Sequence, residues 1–512
     1  MYQSIVIPTN PIEPHLIVFL ATTEASVSVA IVLIKYTIHM TDTHVRTRIA
    51  PSPTGVPHIG NTRTALYDYL LAKKYGGEFI LRIEDTDQNR LVPESTEKIY
   101  QIFDFLGLKR DEDPLSGGPY GPYIQTERLE IYQKYAHLLV DTGAAYYCFC
   151  SEDRLKALHE KDQYAKYDRH CRNLSKDEIQ KQLASGAPHV LRAKLPETGF
   201  TIWHDLVQGK LSLPNNECDD KVLMKTNGIP TYHLAVFVDD HLMKISHVLR
   251  GVEWLASTPI HIFLFEALGW EPPVLAHVPL LLGPDKTKLS KRHGAKSVLE
   301  YAEDGYLPEA INNFLFFLGF SYKDNSDLLT LPEMVAIFDE KRIQRQNAIF
   351  DIQRLNYLNS QWIKKMPTED LFQRLSAYIP ADWNDDKVKQ ILMLVKERMF
   401  TLRDFAPAAE YFFKAPTVSA QSVLDQSGRT EKETINWFET AKSVIKDISD
   451  FNSTVLHEEL AKAQVASGFS PKEAFMSLRV AISGRSITPP LFDCMVILGQ
   501  EETLNRLSSI FS

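Results

Sequence analysis

The segment Arg48-Ile-Ala-Pro-Ser-Pro-Thr-Gly-Val-Pro-His-Ile-Gly-Asn61 places a histidine between a tight turn and the start of a helix. Its prolines exclude helix, whereas its glycines permit turns and a close backbone approach. A helix is predicted from Asn61 or Thr62 onward, and its free N–H groups and positive dipole end would face an anion at the turn. His58 would donate a hydrogen bond to that anion. The segment indicates a phosphate site; the alternative is a proline-rich loop that caps a helix.

A second candidate segment is the cationic loop between Gly283 and Gly294. Its cationic side chains are Lys286, Lys288, Lys291 and Arg292. Clustered cations between two glycines suit a loop that closes over a polyphosphate. The loop therefore favours a nucleotide site over an ordinary helix cap at His58.

Charged residues also lie at the ends of predicted strands. The apolar runs Glu78–Ile83 and Val248–Gly251 predict short buried strands, and the first is followed by Glu84. In parallel α/β folds, ligands bind beyond the carboxyl ends of the strands. We therefore expect Arg48, Glu84 and Arg250 on one rim, where arginines bind carboxylates and Glu84 binds an ammonium group. The alternative for each is a solvated surface ion pair.

Pro-His-Ile-Gly followed far downstream by Lys-Leu-Ser-Lys-Arg resembles the paired HIGH and KMSKS signatures of the class I aminoacyl-tRNA synthetases. Arg82-Ile-Glu-Asp-Thr-Asp87, Gly117–Tyr123 and Arg479–Ser486 are similar to segments of the bacterial glutamyl-tRNA synthetases, so the resemblance spans about 44 to 512. It implies that ATP, with Mg²⁺, activates L-glutamate to glutamyl-adenylate, and that the glutamyl group passes to the 3′ end of tRNA(Glu). Whether tRNA(Gln) is also charged stays open.

The resemblance also implies roles for individual residues. The implied catalytic residues are His58, Lys288 and Lys291, with the histidine on the α-phosphate and the lysines on the leaving pyrophosphate. The implied glutamate-binding residues are Arg48, Ala50, Ser52, Glu84, Tyr232 and Arg250. The implied ATP-binding residues are His58, Gly60, Glu253, Leu281, Lys288, Ser290, Lys291 and Arg292. Val236 stands where some relatives have asparagine, so that contact is not carried over.

The predicted fold class is α/β: a Rossmann-type parallel-sheet catalytic domain with an inserted acceptor-binding domain, followed by an all-helical C-terminal region. A strand over Val278–Leu282 is predicted to close the catalytic sheet, and everything beyond Gly294 is predicted to be helical. The predicted divisions are an N-terminal extension (1–43), the first catalytic half (44–141), the acceptor-stem insertion (142–225), the second catalytic half (226–283), the cationic loop with a stem-contact domain (284–370) and a helical anticodon-binding domain (371–512).

Composition sets the limits of these predictions. A chain of 512 residues is too long for one core and suggests about three to four domains. The net charge of −9 excludes a broadly basic nucleic-acid binder, so any RNA-binding surface is local. Five cysteines argue for a reducing compartment, and we expect a cytoplasmic monomer without membrane contact. The first forty residues lack the positive start of a signal peptide, and we interpret 1–39 as a loose extension or a mis-start before Met40.

A possible metal site involves Cys148, Cys150 and Cys171. Related synthetases carry zinc on Cys-x-Cys and a later Cys-x-His, but here Asn173 stands at the last position, and His170 lies on the other side of Cys171. Structural zinc takes four nitrogen or sulfur ligands. The sequence therefore leaves structural zinc open, and no metal ligand is assigned.

Two rival functions are weighed against the ligase. A tRNA-modifying glutamylation enzyme shares the catalytic half but lacks the anticodon-binding part, and the helical region past about 370 argues against it. An inert RNA-binding module that keeps the fold would not need His58, Lys288 and Lys291.

Overall fold

The computed structural model describes residues 44–161, 166–290, 296–322 and 327–512. The predicted N-terminal extension lies outside these ranges, as do Lys291 and Arg292. The strands are β1 (Arg46–Ile49), β2 (Glu78–Leu81), β3 (Ala145–Cys148), β4 (Val190–Ala193), β5 (Phe200–Asp205), β6 (Gly209–Pro214), β7 (Val222–Met224), β8 (His247–Gly251), β9 (Val274–Val278), β10 (Leu281–Leu282) and β11 (Ala348–Ile349).

The helices divide between the catalytic part and the C-terminal part of the chain. The helices before residue 368 are α1 (Ile59–Lys74), α2 (Ser95–Leu106), α3 (Leu129–Asp141), α4 (Glu152–Lys161), α5 (Lys176–Ala184), α6 (Tyr232–Leu242), α7 (Thr258–Ala267), α8 (Val298–Glu303), α9 (Pro308–Phe317), α10 (Leu331–Ile337) and α11 (Ile352–Lys365). The later helices are α12 (Thr368–Leu375), α13 (Asp385–Val395), α14 (Phe405–Phe413), α15 (Ala420–Ser427), α16 (Glu431–Asp447), α17 (Ser453–Ser467), α18 (Pro471–Ser483), α19 (Leu491–Leu498) and α20 (Gln500–Ser508).

The first unit is β1–α1–β2, in which the two strands are parallel, with Arg48 opposite Ile80. Helix α1 begins at Ile59, directly after His58 and slightly before the predicted start at Asn61 or Thr62. It ends at Lys74 because Gly76 adopts φ +67°, a left-handed conformation that costs glycine no side-chain clash. The unit carries Arg48 and Glu84 to the carboxyl ends of neighbouring strands.

A four-stranded sheet continues the catalytic part in the order β6-β5-β9-β8. Strands β5, β9 and β8 are parallel, and β6 forms an antiparallel hairpin with β5. Strand β1 lies beside β8, where the Ser246 N–H donates to the Arg46 carbonyl at 3.0 Å. Although β5 and β6 fall within 142–225, they extend this sheet, whereas β3, β4 and β7 form a separate antiparallel sheet.

Two details of the predicted fold are wrong. The predicted strand Val278–Leu282 is divided: β9 ends at Val278, and β10 pairs in parallel with β11. Pro279 explains the break because it has no N–H for a strand ladder, and its carbonyl instead accepts from Arg63. The two-residue strand β11 also means that the chain beyond Gly294 is not purely helical.

The C-terminal helices share one hydrophobic core, centred on buried side chains such as Trp437, Leu456 and Leu478. The predicted capping box of α18 is present: the Glu473 N–H donates to Ser470 Oγ at 3.3 Å, and Glu473 accepts from the Ser470 N–H at 2.7 Å. The fold class is therefore confirmed as α/β with a helical C-terminal region. Among the described residues, no helix is both long and apolar enough to cross a membrane.

Candidate active site

A cavity of about 590 Å³ opens at the carboxyl ends of β1, β2 and β8. The predicted site residues that line it are Arg48, Ala50, Ser52, Glu84, Tyr232, Arg250 and Glu253. Lining residues that the sequence did not single out include Thr86, Arg90, Lys225 and Trp254. The predicted rim is thus one continuous surface, with cations and a carboxylate facing the same space.

The carboxylate of Glu84 is held by Arg82, a fully buried arginine that the sequence did not predict to matter. Arg82 Nη2 donates to Glu84 at 3.0 Å, and its Nη1 donates to Asp240 at 2.9 Å. Burial raises the pKa of Glu84, and the two arginines Arg82 and Arg48 oppose that rise. Arg82 thus holds the Glu84 carboxylate in a fixed position at the cavity wall.

Arg48 already has a carboxylate partner in the protein. Its Nε donates to Asp240 Oδ1 at 3.1 Å and its Nη2 donates to Oδ2 at 3.4 Å. Burial would raise the pKa of Asp240, but Arg48 and Arg82 together hold it below its ordinary value. The charge of Arg48 is therefore largely compensated before any ligand binds.

Arg250 differs because its protein acceptors are neutral. Its Nε donates to His277 at 2.9 Å and Nη2 donates to Thr258 at 2.9 Å. Its Nη1 donates to His261 at 3.1 Å and to Tyr232 at 3.5 Å. Among the described residues no carboxylate forms an ion pair with Arg250, although its exposed fraction is only 7%. A buried guanidinium without a counter-ion is costly, so a carboxylate in the cavity would be strongly favoured there.

His58 is the N-cap of α1, and its ring Nδ1 accepts the Gly60 N–H at 3.0 Å. Desolvation and the cation of Lys288 lower the pKa of His58, and Glu253 opposes them. A neutral imidazole whose Nδ1 accepts must carry its proton on Nε2. The fold therefore leaves His58 Nε2–H as a hydrogen-bond donor, as the sequence predicts for a phosphate ligand.

Gly60 and Leu281 complete the surroundings of His58. A Cβ on Gly60 would come within 2.7 Å of the His58 ring, so only glycine lets the imidazole fold back over the helix start. The same Cβ would lie 3.9 Å from Leu281 Cδ1, which places the start of the cationic loop beside His58. None of His58, Gly60 and Leu281 lines the large cavity itself.

The cationic loop begins as a tight hairpin. The Leu289 N–H donates to the Leu281 carbonyl at 3.1 Å, and the Gly283 N–H donates to the Thr287 carbonyl at 2.9 Å. Lys288 lies exposed on this hairpin, close enough to His58 to lower its pKa. Ser290 is the last described residue before the gap, outside the lining of the cavity, and the predicted roles of Lys291 and Arg292 lie outside the described residues.

Three cysteines form a cluster away from the cavity. The Sγ atoms of Cys148, Cys150 and Cys171 lie within 4.8 Å of one another. The nearest further ligand type is the Tyr167 hydroxyl, 3.2 Å from Cys148 Sγ and 3.4 Å from Cys150 Sγ. His170, the residue next to Cys171 in the sequence, is not part of the cluster. The cluster thus offers three sulfurs and one phenolic oxygen.

The buried His261, which contacts Arg250, and the half-buried His233 beside it predict a loss of stability in acid. Burial, followed by the charge of Arg250, lowers the pKa of His261, and burial and Lys221 lower that of His233 to about 4. Between about pH 4 and 6.5 the unfolded chain binds more protons than the folded one, so the stability present above about pH 6.5 is lost as the pH falls. His233→Gln should lessen the loss at pH 5 by about 1–2 kcal/mol.

Thermal unfolding midpoints at pH 7.5 and pH 5 test this expectation. His457→Gln is the control, because His457 is exposed on α17, far along the chain from Arg250, and forms no ion pair with a carboxylate among the described residues. Equal acid sensitivity of wild type and His233→Gln would contradict the assignment of a proton-excluding role to His233.

Comparison with known proteins places this site in a class. Residues 44–357 match the family described as tRNA synthetases class I (E and Q), catalytic domain, and residues 370–511 match an anticodon binding domain. The fold and this family match thus define a class I aminoacyl-tRNA synthetase. Curated relatives include the glutamate–tRNA ligases of Borrelia recurrentis (40% identical, over 91% of this chain and 95% of that one) and Dehalococcoides mccartyi strain CBDB1 (39%, over 91% and 96%).

A solved structure gives the same result. The crystal structure of a glutamate tRNA ligase from Elizabethkingia meningosepticum in complex with its amino acid is 35% identical, with a TM-score of 0.85 over 91% of this chain and 99% of that one. The chain belongs to the glutamate–tRNA ligase family, and the resemblance in its sequence is confirmed. The match of residues 370–511 argues against the glutamylation enzyme, which lacks that part.

Proposed function

We propose that the chain activates L-glutamate with ATP and transfers the glutamyl group to the 3′ end of tRNA(Glu). The observation that carries this proposal is a cavity that brings Arg250, Arg48 and Glu84 together, beside the His58 donor. Glutamate has two carboxylates and one ammonium group. Arg250 and Glu84 complement one carboxylate and the ammonium group, whereas Arg48 is already paired with Asp240. The family match indicates the type of reaction, and the charged residues that line the cavity favour glutamate as the amino acid.

The amino acid is assigned to Arg250 and Glu84. Arg250 lacks a carboxylate partner among the described residues, so it binds a carboxylate of glutamate, and Glu84 binds the ammonium group. Glutamine is nearly isosteric with glutamate, but its neutral amide would leave the buried charge of Arg250 without a counter-ion. A site of this kind discriminates between the two amino acids by roughly 10⁴.

ATP, as its Mg²⁺ complex, is assigned to the side of the cavity near His58 and Lys288. The α-carboxylate of glutamate attacks the α-phosphorus, and pyrophosphate leaves. His58 Nε2–H donates to the α-phosphate, while Lys288 and, by prediction, Lys291 neutralise the pyrophosphate. The chain supplies no nucleophile, so its contribution is positioning and charge stabilisation.

In the second step the terminal ribose hydroxyl of tRNA attacks the carbonyl carbon of glutamyl-adenylate, and AMP leaves. Contact with the acceptor stem is assigned to 142–225, further contact with the tRNA stem to 284–370, and contact with the anticodon to 371–512. We retain the expectation of a cytoplasmic monomer, with tRNA as the macromolecular partner.

Pyrophosphate exchange and charging assays test the proposed function. The purified chain should exchange pyrophosphate into ATP in the presence of glutamate, and exchange should be measured with and without tRNA. It should then charge tRNA(Glu) with glutamate. Charging of tRNA(Gln) is measured alongside to settle tRNA specificity. Absence of both exchange and charging would sink the proposal.

Structural zinc is proposed for the cluster of Cys148, Cys150 and Cys171, with Tyr167 as the fourth ligand. Three sulfurs and one oxygen give the four ligand atoms that structural zinc needs, with a phenolic oxygen in place of the usual nitrogen or fourth sulfur. When bound, zinc would fasten β3 to the loop that carries Tyr167 and Cys171. It lies away from the cavity and supplies no catalytic chemistry.

Elemental analysis should find about one zinc per purified chain, because structural zinc is four-coordinate and tightly held. Cys171→Ser should lower the zinc content to near zero, and Tyr167→Phe should make zinc easier to remove with a chelator. Cys218→Ser is the matched control, because Cys218 is half-buried but outside the cluster. Equal zinc content in Cys171→Ser and Cys218→Ser would contradict the site.

A further inference from the structure

Arg250 depends on a buried set of polar side chains that never reach the cavity. Its guanidinium can only donate hydrogen bonds, so every atom that it touches must accept one. His277 Nε2, 2.9 Å from Arg250 Nε, is therefore an unprotonated nitrogen. Since the pKa of His277 is lowered, chiefly by burial, the ring is neutral, and its proton lies on Nδ1.

Asp205 determines that proton position. Its Oδ2 lies 2.5 Å from His277 Nδ1, and both side chains are fully buried. Its other oxygen, Oδ1, is occupied by three backbone N–H groups, those of Val207, Gln208 and His277, at 2.9–3.1 Å. An ionised carboxylate can only accept, so it draws the imidazole proton to Nδ1 and leaves Nε2 free to accept from Arg250.

A second chain of hydrogen bonds reaches Arg250 through its Nη1 atom. His261 Nδ1 lies 3.1 Å from Arg250 Nη1 and must accept, so His261 carries its proton on Nε2. That nitrogen lies 3.3 Å from His233 Nδ1, which accepts in turn. In both chains of hydrogen bonds, the proton positions on the histidines are therefore set by Arg250, because arginine cannot accept a hydrogen bond.

We propose that Asp205 and His277 are positioning residues for glutamate binding: Asp205 fixes the tautomer of His277, and His277 holds the Arg250 guanidinium towards the cavity. This inference rests on the proposed function, in which Arg250 binds a carboxylate of glutamate. It also assigns a task to β5, which lies in the 142–225 segment but pairs in parallel with β9, the strand of His277. The glutamate site is thus supported from a part of the chain that is distant in sequence.

Asp205→Asn tests the tautomer directly. The three backbone donors keep the asparagine oxygen at the Oδ1 position, so its NH₂ group faces His277 Nδ1. The ring proton must then move to Nε2, where it points at the Arg250 Nε–H. Thr258 Oγ1 lies 3.3 Å from the same nitrogen but already accepts from Arg250 Nη2. Two facing donors displace the guanidinium, and the KM for glutamate should rise about tenfold to a hundredfold, with the KM for ATP unchanged.

Combining Asp205→Asn with His277→Gln shows whether Asp205→Asn raises the KM for glutamate through the His277 tautomer or through a general change in structure. A glutamine amide can turn its oxygen towards Arg250 whichever group lies at position 205. In the His277→Gln background, Asp205→Asn should change the KM for glutamate by less than about twofold. An equal rise in KM in both backgrounds, or no rise in the wild-type background, would overturn the proposal.

A spectroscopic readout accompanies the kinetics. In protein labelled with ¹⁵N-histidine, the His277 signals, identified by their absence in His277→Gln, should show an Nδ1–H tautomer in wild type and an Nε2–H tautomer in Asp205→Asn. An Nδ1–H tautomer in both proteins would overturn the proposal. If Asp205→Asn does not fold, His277→Leu is compared with His277→Gln: only glutamine keeps an acceptor, so equal KM values for glutamate would overturn it.

Asp113→Asn is the matched control. Asp113 is also buried and uses Oδ1 to accept two backbone N–H groups, those of Leu115 and Ser116, but its Oδ2 faces Arg110 and it does not line the cavity. Its KM for glutamate should equal that of wild type. Wild-type exchange activity is measured first, so failure of the proposed function appears as an inactive wild type, whereas failure of this inference appears as an active but unaltered Asp205→Asn.

Discussion

Arg250→Gln is expected to lower kcat/KM for glutamate in pyrophosphate exchange by about 10²–10³, because a buried, charge-assisted hydrogen bond to the substrate is lost. The KM for ATP should stay within about twofold of wild type, since no ATP-binding role falls on Arg250. Arg250→Lys should lie between the two, because it keeps the charge but loses the planar guanidinium and its fixed set of N–H donors. Steady-state exchange kinetics with glutamate varied at saturating ATP measure the effect.

Arg342→Gln is the control for loss of an arginine. The Arg342 side chain is 50% exposed and lies 3.6 Å from Asp339, outside the cavity, so its removal should leave the kinetics unchanged. Arg250→Gln also leaves His277 and His261 without their donor, so the thermal midpoint is recorded for each variant. Unchanged glutamate kinetics in a folded Arg250→Gln protein would show that the substrate carboxylate binds elsewhere.

The parts of the site that could be predicted are those set by local rules. Prolines and glycines around His58 dictate a turn and a helix start, and the structure has the helix beginning at Ile59. The Ser470–Glu473 capping box is likewise a property of four consecutive residues. Arg48, Glu84 and Arg250 reach one cavity because the carboxyl ends of parallel strands share an edge of the sheet.

The partners of these residues could not be predicted because packing brings them together from distant parts of the chain. Asp240 meets Arg48 and Arg82 across separations of 192 and 158 residues, and Asp205 meets His277 across 72. One signal was available: the Asp239–Asp240 pair follows the apolar run Leu234–Val238 within helix α6. Two carboxylates next to a buried helical face require cations, which Arg48, Arg82 and Arg128 supply.

The wrong prediction of a strand over Val278–Leu282 also has a physical reason, but here the signal lay within the segment itself. The apolar pattern of Val278–Leu282 predicts one continuous strand. Pro279 was visible in the sequence and is incompatible with the interior of a sheet. Beyond Pro279, Leu281 and Leu282 pair with β11 instead of extending β9. The hairpin that follows lies close enough to His58 for Lys288 to lower the pKa of the histidine.

His58 has two separable tasks, and its two nitrogens allow each to be tested. Nδ1 caps helix α1 by accepting the Gly60 N–H, whereas Nε2–H is the proposed donor to the α-phosphate. Asparagine is among the best N-cap residues and alanine among the poorest. His58→Asn and His58→Ala should therefore both lower kcat for pyrophosphate exchange by about 10²–10³, but only His58→Ala should lose about 1 kcal/mol of stability.

Ser470→Ala supplies the complementary control, because Ser470 caps α18 in the C-terminal core, far along the chain from the cavity. It should cost about 1 kcal/mol of stability without slowing exchange. Loss of a cap alone then predicts that His58→Ala and Ser470→Ala behave alike, whereas loss of a phosphate donor predicts that His58→Ala and His58→Asn behave alike in kcat. A His58→Asn enzyme with wild-type kcat would reduce His58 to a helix cap. Slow exchange in a fully stable His58→Asn enzyme would leave the Nε2–H donor as the explanation.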